Sequence, residues 1–115
     1  MNSNLRTIDL NHLDSIAGGD ESFKKELISI FLEQIPVFIS NMKRYYAKNR
    51  MENLAREAHT AKSSALIFGM SNTGLLLKEI QHLAESNEPG EIQDKLFQVE
   101  KELNLAISEL HEILK

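Results

Sequence analysis

The chain contains no cysteine, so neither a disulfide framework nor a thiolate metal site is open to it, and a reducing compartment fits. Long apolar runs are missing too: nothing approaches the ~18 to 20 residues that a membrane span requires. The first fifteen residues, MNSNLRTIDLNHLDS, have no apolar h-region and no cleavage site, which makes the cytoplasm the expected location. Positive charge is not in excess. At a net charge of -4 the domain as a whole disfavours non-specific binding to a phosphate backbone, so protein partners are expected rather than nucleic acid or a membrane. There is no Gly-rich phosphate loop and no kinase signature. His12, His82 and His111 fall on different segments, at no spacing that gathers a zinc or di-iron site.

What the sequence does have is helical period. A chain of 115 residues, 42% of them hydrophobic, suits one core and leaves little room for a second. Residues 1–8 read as a flexible arm, and 9–115 as one domain. Asp9 can cap a short helix with Leu10, Leu13 and Ile16 on one side. After Gly18-Gly19, Asp20 is a good N-cap for a long stretch that places Phe23, Leu27, Ile30, Phe31, Phe38, Met42 and Tyr45 on a broad stripe. Pro36 lies inside it and predicts a kink or break near 34–36. Asn49 followed by Glu52 has the spacing of a capping box, and Leu54, Ala58, Ala61, Ala65 and Phe68 recur behind it at three and four. That helix is expected to end near Gly69. Ser71 or Asn72 can cap the next, with Leu76, Leu77, Ile80, Leu83 and Ala84 as its apolar side. Pro89 is well placed at a first helical position, and Ile92, Leu96, Val99, Leu103, Ala106, Leu110 and Ile113 form the cleanest seam.

Four long helices joined by short connections predict an all-α fold: an up-down-up-down antiparallel four-helix bundle with a short N-terminal capping helix. An extended coiled coil is the alternative. It suits the last helix, but breakers flank the two inner helices, which favours a closed monomeric bundle.

The informative surface lies on the middle pair. His59 sits one residue, about 100 degrees, around from the Ala58, Ala61, Ala65 line, so it should border solvent. Lys62 and Ser63 stand three and four residues further on, and Ala55 four residues before, on the same strip. On the following helix Gly74, Lys78, Gln81 and Glu85 make a matching strip, and antiparallel packing can set Gln81 level with His59 and Lys78 level with Lys62. A glutamine can orient an imidazole by engaging one ring nitrogen and leaving the other free. Two lysines beside that ring make sense if it ever carries a dianionic group.

The run His59-Thr60-Ala61-Lys62-Ser63-Ser64, with Gly69 closing it, resembles the histidine-containing phosphotransfer domains of multistep phosphorelays, and the resemblance extends from Leu10 to the end. Gly18-Gly19-Asp20 and Phe31-Leu32-Glu33-Gln34-Ile35-Pro36 look like that family's entry to its first long helix. The resemblance implies that His59 accepts a phosphoryl group, that Lys62 compensates its charge and that Gln81 steadies the ring. Where the family often has glycine after the lysine, this chain has Ser63, also small. Ala55, Ser63, Leu66 and Lys78 are the expected docking residues. The implied partners are response-regulator receiver domains, including one of a hybrid sensor kinase. The domain itself would carry no cofactor and no catalytic activity of its own, the divalent metal belonging to the partner receiver. A competing reading is a helical interaction module without phosphoryl chemistry, which predicts that His59 can be changed without loss.

Overall fold

A computed structural model describes residues 7–115 of the chain. Among them are five α-helices and one 3-10 turn: α1 (Asn11–Ala17), α2 (Glu21–Ala47), α3 (Met51–Ile67), α4 (Ser71–Glu85), the turn Pro89–Glu91, and α5 (Ile92–Leu114). The fold is all-helical, with no strand among the described residues.

Two helices start where a short acid can satisfy orphan N–H groups. Oδ1 of Asp20, the N-cap of α2, accepts from the Phe23 N–H at 3.0 Å; at α1 the N-cap position is Leu10 rather than the expected Asp9, which lies one residue before it and accepts from the Asn11 N–H at 3.0 Å. The other expected caps are corrected by the structure. Asn49 does not cap α3: it adopts a left-handed φ of 56° and its N–H donates to the Tyr46 carbonyl, so it closes α2 instead. Neither Ser71 nor Asn72 caps α4; Ser71 is already helical, and the Asn72 amide donates to Glu102 on α5. The break expected near Pro36 is absent as well. Helix α2 continues through Pro36, which stands on its exposed face, where the carbonyl that the missing N–H leaves unpaired can be hydrated.

The core follows the apolar periods with some reassignment. Ile28, Phe31, Ile35, Phe38 and Met42 are buried on α2, whereas Phe23 and Ile30 are 39% and 47% exposed. On α1, Leu13 and Ala17 are buried, while Ile16 turns outward. The seams of the later helices stand as their spacing predicts: Leu54, Ala58, Ala61 and Ala65 on α3, Leu77, Ile80 and Ala84 on α4, and Ile92 to Leu110 on α5 are buried. Each fully buried leucine or isoleucine contributes about 1.5 to 3 kcal/mol. Phe68, just past α3, stacks on Phe31 with centroids 4.4 Å apart.

Helices α2, α3, α4 and α5 pack in ring order, and α1 lies against α2. Polar pairs fix the registers: Gln34 with Ser64 and Asn41 with Glu57 between α2 and α3, then Glu79 with Lys95 and Thr73 with Glu102 between α4 and α5. Glu102 is the one charged residue buried in the described core, and it accepts from Thr73, Asn72 and Gln98. Lys24 on α2 meets Asp14 on α1 at 2.8 Å, and that hydrogen bond holds the lysine pKa above its ordinary 10.5.

The expected arm at 1–8 falls mostly on residues 1–6, outside the described ones. At its end, the Thr7 and Ile8 N–H groups donate to the two carboxylate oxygens of Glu109 at 2.8 and 3.0 Å.

Candidate functional site

The α3–α4 pair carries the site, and the alanine seam explains its tightness. With methyl side chains at 55, 58, 61 and 65, α3 can approach α4 closely, and these two helices share the most extensive packing in the fold. Gly74 takes part in the same approach: a Cβ there would lie 2.6 Å from Cδ2 of Leu66. The register that puts Leu66 against Gly74 brings His59 beside Gln81, and by the same count along the two helices position 78 falls level with position 62.

His59 is exposed, in the middle of α3. Its Nδ1 lies 3.3 Å from Oε1 of Gln81, a half-buried residue. Because a carbonyl oxygen can only accept, the contact is a hydrogen bond when the ring proton sits on Nδ1. Nε2 then holds the lone pair and has no partner among the described residues. The ring borders an open groove between the helices, lined among others by Glu52, Ala55, Arg56, Gln81 and Glu85. Ala55 is buried and forms part of its floor.

Lys62, one turn on, is half-buried, and Lys78 is exposed. Neither pairs with a carboxylate among the described residues, so both ammonium groups are available to an arriving anion. Arg56 is less available, since it meets Glu52 at 3.4 Å. Ser63 is exposed, and its hydroxyl donates back to the His59 carbonyl at 3.3 Å, which keeps the side chain low on the helix. Leu66 is 46% exposed, an apolar residue on the same strip two turns from His59. All seven residues singled out in the sequence therefore lie on the α3–α4 pair.

Sequence reasoning placed Glu85 on the strip but gave it no task. In the structure its Oε2 accepts from Nε2 of Gln81 at 3.0 Å, a contact that the i, i+4 spacing could have signalled. No group of three or more metal-ligating side chains assembles among the described residues. No helix among them is long and apolar enough to cross a membrane.

An exposed imidazole held at one nitrogen on a helical hairpin, with two unpaired lysines nearby, defines a class of protein that could receive a phosphoryl group on histidine. Comparison gives the family: residues 26–113 match the Hpt domain, and the chain belongs to that family, whose business is histidine phosphotransfer in phosphorelays. A similar solved structure is the HPT domain from a sensor hybrid histidine kinase of Shewanella. It superimposes with a TM-score of 0.80 at 15% identity, over 94% of this chain and 93% of the other, a likeness of fold. None of the curated proteins matches the chain in sequence.

Proposed function

We propose that this domain is a phosphorelay intermediate in which Nε2 of His59 takes a phosphoryl group from the aspartyl phosphate of one receiver domain and passes it to the aspartate of another. One of these receivers belongs to a hybrid sensor kinase. The observation that carries the reading is His59 itself: exposed in mid-helix, engaged at Nδ1 by Gln81 and open at Nε2.

Nucleophilic attack in line with the leaving carboxylate needs a neutral, accessible nitrogen and little else from this side. Gln81 orients the ring. Lys62, one turn along the strip from His59, supplies an ammonium that can follow the phosphoryl oxygens from ground state to transition state. The groove floor at Ala55, small Ser63, apolar Leu66 and cationic Lys78 form the face on which the receiver docks. The domain is a carrier without independent catalytic activity and needs no cofactor, since the divalent metal that handles the aspartyl phosphate sits in the receiver.

The arrangement this implies is a monomeric up-down-up-down antiparallel four-helix bundle with α1 as a cap, working in the cytoplasm and away from nucleic acid and membrane. The opposed registers of Gln34 with Ser64 and Asn41 with Glu57 support it. The test incubates the domain with a phosphorylated receiver and maps the label by mass spectrometry under alkaline conditions. The expected product is an acid-labile, base-stable phosphoramidate on His59. Label on Thr60, Ser63 or Ser64, or on His12, His82 or His111, would remove the assignment.

A further inference from the structure

We propose that Glu85 is a positioning residue that decides which nitrogen of His59 is free to receive the phosphoryl group. The inference rests on the reading of His59 as acceptor and deepens it.

The side-chain amide of Gln81 has two ends of similar shape and opposite polarity, and either could face the ring. If the carbonyl faces it, Nδ1 must carry the proton and Nε2 keeps its lone pair. If the NH2 group faces it, Nδ1 must accept, the proton moves to Nε2, and the outward nitrogen is no longer a nucleophile. Among the described residues nothing else bonds the ring to break this tie. Glu85 breaks it from the other end: an ionised carboxylate can only accept, so it claims the NH2 group, as the 3.0 Å contact from Nε2 of Gln81 records, and turns Oε1 toward His59. Glu85 lies one turn beyond Gln81 in the last turn of α4 and enters no ion pair among the described residues, so its charge is not diverted. Arg56, the cation on the same groove, is occupied by Glu52.

The same chain acts during transfer. The Nε2 lone pair forms the N–P bond as the P–O bond to the partner's aspartate breaks, and the carboxylate departs with the bonding electrons. The ring still carries its Nδ1 proton at that moment and has gained positive charge. A carbonyl oxygen hydrogen-bonded to that proton stabilises the charge, and a carboxylate on the far end of the amide polarises the carbonyl further.

The test reads the tautomer directly, without any partner. Long-range 1H–15N spectra of the 15N-labelled protein, taken where the ring is neutral, are expected to show His59 protonated at Nδ1 with a lone-pair signal at Nε2. Glu85→Lys, which presents a donor where the amide now meets an acceptor, should turn the amide and reverse the two signals. Glu85→Gln, whose amide can present either end, should lose the fixed orientation and show a mixture of the two patterns. With phosphoramidate as the phosphoryl donor, the Glu85→Lys protein should gain phosphohistidine at Nε2 about three- to tenfold more slowly, the span expected from one hydrogen bond. A wild-type ring protonated at Nε2, or identical spectra for wild type and Glu85→Lys, would overturn the proposal. The expected tautomer pattern in a protein that takes no label from any phosphorylated receiver would instead remove the carrier reading alone.

Discussion

Gly69 lies against the backbone of Asp9 so closely that a Cβ at position 69 would overlap the Asp9 carbonyl oxygen. The glycine also holds a left-handed φ of 69°, and beside it the Asp9 N–H donates to the Phe68 carbonyl at 3.1 Å. The turn after α3 is thereby the seat for the segment that leads into α1. Gly69→Ala adds both a steric overlap and a left-handed strain, of which the strain alone is about 1 to 2 kcal/mol. The expected outcome is a lower urea midpoint, together with faster amide exchange at Ile8 and Asp9 as that segment lifts away.

His59→Gln is expected to abolish N-linked phosphorylation and to leave the thermal midpoint nearly unchanged. The ring is exposed and outside the apolar seam, so its loss opens no cavity. Label transfer and a melting curve on the same sample check both halves, and a large fall in stability would mean that the ring is structural.

Lys62→Ala keeps the acceptor but removes the nearest unpaired cation on its strip. A charge-assisted contact of about 1.5 to 3 kcal/mol, if made in the transition state, corresponds to a roughly ten- to hundredfold slower transfer. Rapid-quench kinetics with a phosphorylated receiver measure it; an unchanged rate would assign the charge compensation to Lys78 or to the partner.

Ser63→Trp should block transfer without reducing helicity, because an indole on that exposed strip keeps a partner's backbone away from His59. Ser108 is exposed on α5, which packs against α2 and α4, and Ser108→Trp should transfer normally.

Thr73→Val tests the buried polar clamp between α4 and α5. Removing the hydroxyl leaves the Glu102 carboxylate, 9% exposed, one hydrogen bond short, at an expected loss of about 1 to 3 kcal/mol. Chemical denaturation reads the loss, and phosphoryl transfer should persist, because the clamp joins α4 to α5 and makes no contact with His59 on α3.

The helices and most of their buried faces were legible because the signal is local: apolar residues at three and four on α3 and α5 identify their core line without knowledge of the partner helix. The pairing of His59 with Gln81 was legible for a related reason, since short connections restrict the register of neighbouring helices. Long-range packing hid the rest. Phe23 and Ile30 fit an apolar stripe on α2 as well as Ile28 and Ile35 do, and only the position of the other helices decides which pair is buried. Pro36 signals a break by its own chemistry, yet its exposed face and the packing on either side carry the helix through. Asn49 and Asn72 are good cap formers that the structure uses for a left-handed turn and a contact with Glu102, choices no local spacing distinguishes.

The alanines along α3 have a consequence beyond close approach. A methyl group has no rotamer to change, so the hairpin that bears His59 has almost no alternative arrangement along its seam. A phosphoryl group brings up to about two negative charges, and it would arrive on a stiff rib rather than on a hinge. The charged and uncharged forms of the domain should then share one outline. A partner would have to distinguish them by the local electric field, and added salt should blur that distinction.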